Sequence, residues 1–508
     1  APGHCPEHGE ALGETTITSV ETDREFVMTG PEGILSGSGL VTDDAIRKEY
    51  HIARDGFVEF SGDISDTDSG KTPVPPQTRF TQVFSRGPLQ ITGPMDARRI
   101  HGEGGARVDR IDLTETLTLQ SELLQIDTVR RWDLSPTGPV DIGKVDARGD
   151  VVLDGISFID GESFHTTSDT LIRTKSEDEL KDVTVLTAEA PRVVSLTRGL
   201  SRIDSHRVTI NKAPEGGTGR SDFEDVVRSD LVAGTQHFSL ACGTLVTFAG
   251  PNNLGKTELQ ELDARRHVVL GGLMSKAGPS SPEGATDPGE AHADHFHWDL
   301  RLNRGLLEAD QETSFVRITQ GSSTIVAPRA LLESPDIIVL KGPKNVNLVQ
   351  EREGKKEEYR ATCDGDMIID NTPGRNRLWM RDRCVLRTQE MLLHSDRINA
   401  VLSPDGKGME SLLALGRVRA LREADHTTIY GDRLFFRFAD QNLRVYGSPR
   451  TVADAGHSSS TQEEIRVFEQ KHPKTGETVR YTEMIGGSDG VHIEIDERGT
   501  PKTEEKKK

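Results

Sequence analysis

Val145 to Leu153 reads VDARGDVVL, Leu262 to Leu270 reads LDARRHVVL, and Leu412 to Ala420 reads LLALGRVRA. Each copy sets a small residue (Ala147, Ala264, Ala414) four positions before a valine (Val151, Val268, Val418). A period of two puts both on one face of a strand. A second pattern runs small residue, usually Asp, any residue, then aliphatic or aromatic. It is found at Ser168-Asp169-Thr170-Leu171, Ser205-His206-Arg207-Val208, Cys242-Gly243-Thr244-Leu245 and Ala293-Asp294-His295-Phe296. It returns at Gly365-Asp366-Met367-Ile368, Ser395-Asp396-Arg397-Ile398 and Gly431-Asp432-Arg433-Leu434, with a weaker copy at Ala327-Pro328-Arg329-Ala330. Recurrence at roughly 36 residues marks a repeat architecture.

A third pattern is a β-branched run ending in a small residue and proline: VTVLTAEAP from Val183, IIVLKGP from Ile337, LRVYGSP from Leu443. Proline suits a strand end, where no ladder donor is required. The unit is strand, turn, strand, turn. In the sharpest copy Leu434, Phe436 and Phe438 face one way and Arg433, Phe435 and Arg437 the other. Helical spacing is scarce, with a turn or two expected at Lys175 to Leu180 or after Thr257. The chain reads as all-β.

Composition agrees. Fifty glycines against 24 prolines mark many turns, and 34% hydrophobic with 28% charged residues suits sheets with one wet face. The net charge of −20 argues against nucleic acid as a general partner. No apolar stretch is long enough to span a bilayer as a helix; Leu231 to Gly250 comes nearest and is broken by Gln236 and His237. A first residue Ala1 suggests a mature or trimmed product. Among Cys5, Cys242, Cys363 and Cys384 there is no CxxC, so a zinc ribbon or thioredoxin site is unsupported. Cys363 and Cys384 are open to a disulfide if their strands are neighbours; two free buried thiols is the alternative.

Three motifs invite chemistry. Gly250 to Thr257 reads GPNNLGKT, a complete G-x-x-x-x-G-K-T match. A phosphate loop needs a long helix behind it, and a repeat strand starts at Leu262, so a hairpin turn is the preferred reading. His292 to His297 offers three imidazoles and Asp294, but the repeat claims the segment with Phe296 inward. His295 and His297 then share one face as a minor two-histidine option. His4, Cys5 and His8 are stray ligand types at a chain end. No nucleophile elbow, metalloprotease helix or carboxylate pair stands out, so no catalytic residue, metal or cofactor is assigned and the chain is not read as an enzyme.

The unit A-x-G-x-V, G-D-x-L-x-F, L-x-V-x-G-x-P is similar to the repeats of the OstA-like family, which includes the periplasmic bridge and inner-membrane-linked components of lipopolysaccharide export. The match is sharpest over 412–468, good over 138–402 and faint before 138. The resemblance implies tandem open β-jellyrolls, V-shaped and antiparallel, stacked end to end in the periplasm. It divides the chain into an N-terminal β domain of divergent repeats (1–137), a module (138–270) and a surface loop insertion (271–292). Two further modules (293–402 and 403–498) and a charged tail (499–508) complete it. The implied function is carriage of lipopolysaccharide-like lipid between membranes. The implied partners are that lipid, other jellyroll proteins edge to edge, and an inner-membrane transporter complex or further copies of itself. The apolar groove is placed at Leu171, Val208, Ile210, Ile398, Ala400, Leu402, Leu434, Phe436, Phe438, Leu443 and Val445. The alternatives are a structural or adhesive cell-surface β-solenoid with a sealed core and, third, a β-helical polysaccharide enzyme.

Overall fold

The computed structural model describes residues 20–30, 33–44, 49–64, 77–93, 97–111, 115–130, 140–157, 161–175, 182–212, 218–233, 236–252, 257–273, 289–310, 314–320, 322–334, 336–342, 344–352, 355–372, 374–389, 391–402, 409–422, 427–454, 459–485 and 492–493. They form thirty-two strands and no helix. Every pairing described is antiparallel between passes adjacent along the chain, as a meander requires, for instance Glu115–Arg130 with Val140–Ser157 and that strand with Ser163–Lys175. Two compact units result: residues 1–232 with 244–260, and 233–243 with 261–508.

The repeat patterns mark corners. In the three-residue spacing both end residues are buried: Ser168 and Leu171, Ser205 and Val208, Ala293 and Phe296, Ser395 and Ile398. Buried residues three apart are out of phase with a period of two, so the strand changes face between them. The four-residue spacing buries Ala147 and Val151, Ala264 and Val268, Ala414 and Val418. Here two of the three residues between them adopt positive φ: Gly149 and Asp150, Arg266 and His267, Gly416 and Arg417. The register with the next strand slips at each site, which is a β-bulge. Gly149 and Gly416 reach this backbone at little steric cost. Met380 and Cys384 are a further copy, bulged at Asp382 and Arg383, that the sequence patterns missed.

Each pass therefore bends mid-way into two halves, and the halves face one another. Glu115 precedes its corner and Lys212 follows its own on a strand running the same way, yet the two pair at 3.3 Å. Tyr359 and Phe438 meet edge to face at 6.4 Å across the equivalent bend of the second unit. In that unit the chain also breaks at several corners, as at Pro328 and Gly342. The consequence is a closed ten-strand barrel. Its pairings run from Gly289–Asp299 through Arg304–Glu308, Arg329–Ser334, Ile337–Lys341 and Met367–Asp370 to Arg377–Arg387. They return through Lys355–Cys363, Lys344–Arg352, Ser323–Ala327 and Val316–Gln320.

Three expectations are corrected, and a fourth falls outside the described residues. The stretch after Thr257 is strand, Thr257–Leu273, not helix. The supposed loop 271–292 begins and ends in strand, since Thr257–Leu273 covers its start and Gly289–Asp299 its end, with 274–288 outside the described residues. At Gly365-Asp366-Met367-Ile368 the buried residue is Met367, and Ile368 is half-exposed. That corner uses four-residue spacing from Cys363, which moves the inward position back by one. Finally, Lys175 ends a strand, and 176–180 lies outside the described residues.

Candidate functional site

The pairings align buried side chains into rows. In the second unit Leu340, Met367, Met380, Ile398, Ala414, Leu434, Val445 and Ile465 are successive cross-strand partners. All eight are fully buried. A second row, two residues further from the corner, runs from Ile338 through Ile369, Leu378, Ala400, Leu412, Phe436 and Leu443 to Val467, again buried throughout. Eight strands at about 4.8 Å make each row roughly 34 Å wide. Burying each large aliphatic side chain stabilises by roughly 1.5–3 kcal/mol, so the strip is a main source of the unit's cohesion. Leu402 pairs with Met409 beyond the second row, and Phe438 is half-buried at its end, 4.6 Å from Phe436.

The first unit differs. Its corner row is apolar: Leu124, Ala147, Leu171, Leu186, Val208 and Phe223. One step out the row reads Ile126, Val145, Arg173, Thr184, Ile210 and Ser221, and Ile210 is half-buried. Arg173 holds Asp182 through two guanidinium bonds, Nε to Oδ1 at 2.9 Å and Nη2 to Oδ2 at 2.5 Å. Burial alone raises the Asp182 pKa, but the hydrogen bonds and charge of Arg173, with Lys212 and Lys175 nearby, hold it below its ordinary value. Lys212 then closes on Glu115 from the facing half. An apolar interior with a charged mouth is the result. The groove residues of the sequence reading thus divide between two units: Leu171, Val208 and Ile210 in one, the remaining eight in the other.

Arg173→Met should lower stability by about 1–3 kcal/mol at neutral pH, because Asp182 is left half-buried without its fork. A depressed folded pKa contributes stability above the unfolded value of about 3.9 and loses it as pH falls through the folded value. The gap to wild type should therefore narrow below about pH 4 in denaturant titrations. A gap that stays constant from neutral pH to pH 3 would remove the ion pair from the account.

The other motifs resolve structurally. The corner aspartates tie turns: Asp169 accepts from the Glu189 amide at 2.7 Å and pairs with Arg192, and Asp294 accepts from the Ser314 hydroxyl at 2.6 Å. Asp396 accepts from Arg417 at the adjoining bulge. These bonds hold Asp169, Asp294 and Asp396 below the usual carboxylate range. His295 and His297 share a face as expected, but carboxylates occupy it: His295 lies 3.0 Å from Asp263 and 3.4 Å from Glu308, and His297 lies 3.6 Å from Glu261. Among the described residues no group of three or more His, Cys, Asp or Glu side chains is arranged to hold a metal. Around Gly250 to Thr257 the chain passes from strand Gln236–Pro251 to strand Thr257–Leu273, with 253–256, and so Lys256, outside the described residues. No helix follows to present amides to a phosphate. His4, Cys5 and His8 are also outside them.

No described helix is long and apolar enough to cross a membrane. Comparison with protein-family models, curated proteins and solved structures finds no match to this chain.

Proposed function

We propose that this chain is a lipid-carrying scaffold of the cell envelope, of the lipopolysaccharide-transport kind. In this reading its bent passes make tandem V-shaped jellyroll modules in the periplasm, open except where the second unit closes into its ten-strand barrel. These meet other jellyroll proteins edge to edge, and also an inner-membrane transporter complex or further copies of the chain. The observation that carries the reading is the pair of uninterrupted apolar rows across eight strands of the second unit. Acyl chains enter between the facing halves and exchange side-chain contacts for lipid contacts, at about 0.8 kcal/mol for each methylene kept from water. The charged mouth of the first unit gives a polar headgroup something to meet while the chains lie inward.

The second reading, a structural or adhesive scaffold with a filled core, is favoured by a specific observation. Of the eleven groove residues, all but Ile210 and Phe438 are buried by the chain's own side chains and backbone. Titration of the full chain with a fluorescent acyl-chain probe separates the two. Saturable uptake, displaced by lipopolysaccharide, is the expected result. A folded protein that takes up no probe is the filled-core scaffold.

A further inference from the structure

Four strands of the second unit place Lys344, Cys363, Cys384 and Ser395 side by side in one inward row at the corner. Lys344 is the register partner of Cys363, and Cys384 that of Ser395. The ladder between the two cysteine strands, Arg360 with Arg387 through Thr362 with Val385, runs directly toward Cys363 and Cys384 as the next pair. All four residues are buried. The thiols are free: Cys384 Sγ donates to the Asp396 carbonyl at 3.5 Å, and Cys363 Sγ to the Asp366 carbonyl at 3.9 Å. Lys344 Nζ donates to the Leu340 carbonyl at 2.9 Å and to the Gly365 carbonyl, filling the gap where the barrel strands part. Burial lowers the Lys344 pKa, and its protonated form places a positive charge beside Cys363, on the side away from Cys384.

We propose that Cys363 and Cys384 form a redox pair that closes to a cross-strand disulfide, with Cys363, beside the Lys344 ammonium, as the attacking sulfur. Antiparallel neighbours stand 4.5–5.5 Å apart at Cα, within the span that a disulfide bridges. Both cysteines adjoin the surface in sequence: Cys363 precedes exposed Asp364, and Cys384 follows exposed Asp382 and Arg383. Arg383 pairs with Asp364, so the residues next to the two cysteines in sequence are tied by a surface ion pair. The oxidant is a small disulfide such as oxidised glutathione. The Cys363 thiolate attacks one of its sulfurs, its S–S bond breaks, and one thiol leaves. Cys384 then loses its proton and attacks Cys363 Sγ, releasing the second thiol. Two protein thiols are oxidised and one external disulfide is reduced.

Cys363 is held below its ordinary pKa by the neighbouring Cys384 thiol, against burial and with help from the Lys344 charge. Cys384 is driven up by its neighbour Cys363 and by burial. Because Lys344 is the register partner of Cys363 and not of Cys384, the two sulfurs have different surroundings, which a test can read.

The test uses the full chain with Cys5 and Cys242 changed to Ser, equilibrated with oxidised glutathione, alkylated after unfolding and mapped by mass spectrometry. The expected product is a Cys363–Cys384 linked peptide pair with both thiols protected from alkylation. Cys384→Ser should trap glutathione on Cys363 at least about tenfold faster than Cys363→Ser traps it on Cys384. Lys344→Met should slow closure, and Lys344→Arg should restore it, which separates charge from folding. Two alkylated thiols in the folded, oxidant-treated chain would overturn the pair. Equal trapping on either cysteine, or closure indifferent to Lys344, would overturn the assigned roles.

Discussion

Phe296→Ala should lower the unfolding free energy by about 3–5 kcal/mol, the range for deleting a buried aromatic ring. Phe296 has no exposed surface and sits at a corner, three residues after buried Ala293. Its ring meets Trp298 edge on at 5.7 Å, and Trp298 stacks on Phe238 at 5.7 Å. Alanine leaves a cavity and removes the edge contact on Trp298, so the cost is more than lost transfer energy. Equilibrium denaturation followed by tryptophan fluorescence reads it. Phe315→Ala is the control: that ring is 51% exposed and should change stability by no more than about 0.5 kcal/mol. A Phe296 loss as small as the control's would mean the corner is not packed as described.

Phe436→Asp should cost at least about 4 kcal/mol or prevent folding, because a carboxylate enters an apolar row with no partner. Phe436 is 8% exposed, lies between Leu412 and Leu443 on the neighbouring strands, and touches Phe438. Arg433→Ser, on the exposed face of the same strand, should leave stability nearly unchanged. A permanently water-filled groove would tolerate the carboxylate and show only a modest loss. Phe436→Asp that folds with near wild-type stability would therefore show water reaching this row without lipid. Any folded fraction should also lose uptake of the acyl probe.

The alternation of apolar and polar residues was legible, and with it the all-β class. Leu434 and Phe436 are inward, Arg433 and Arg437 outward, as a period of two requires. The corners were seen as repeats without their meaning. Ser168 and Leu171 are three apart, which a continuous strand would place on opposite faces; both are buried because the pass bends between them. Had that phase break been the search key, Ser121 with Leu124 and Phe223 with Val226 would have appeared as further corners. The bulge at Met380 and Cys384 was hidden because neither end matches the Ala and Val of the other copies. Arg173 and Asp182 were not legible as a pair, since only the register Lys175 to Asp182 brings them together. The thiol pair was legible as a condition, and strand order met its condition of neighbouring strands.

The central claim, that lipid travels along the inward rows, is tested most directly by photo-crosslinking in cells under active envelope export. A photoreactive residue at position 436 should capture lipopolysaccharide, while one at position 437, on the outward face, should capture none. The adjacent positions share a strand and differ only in the face they present. Equal capture at both positions, or none at either in folded protein, would contradict the account and leave a scaffold with a filled core.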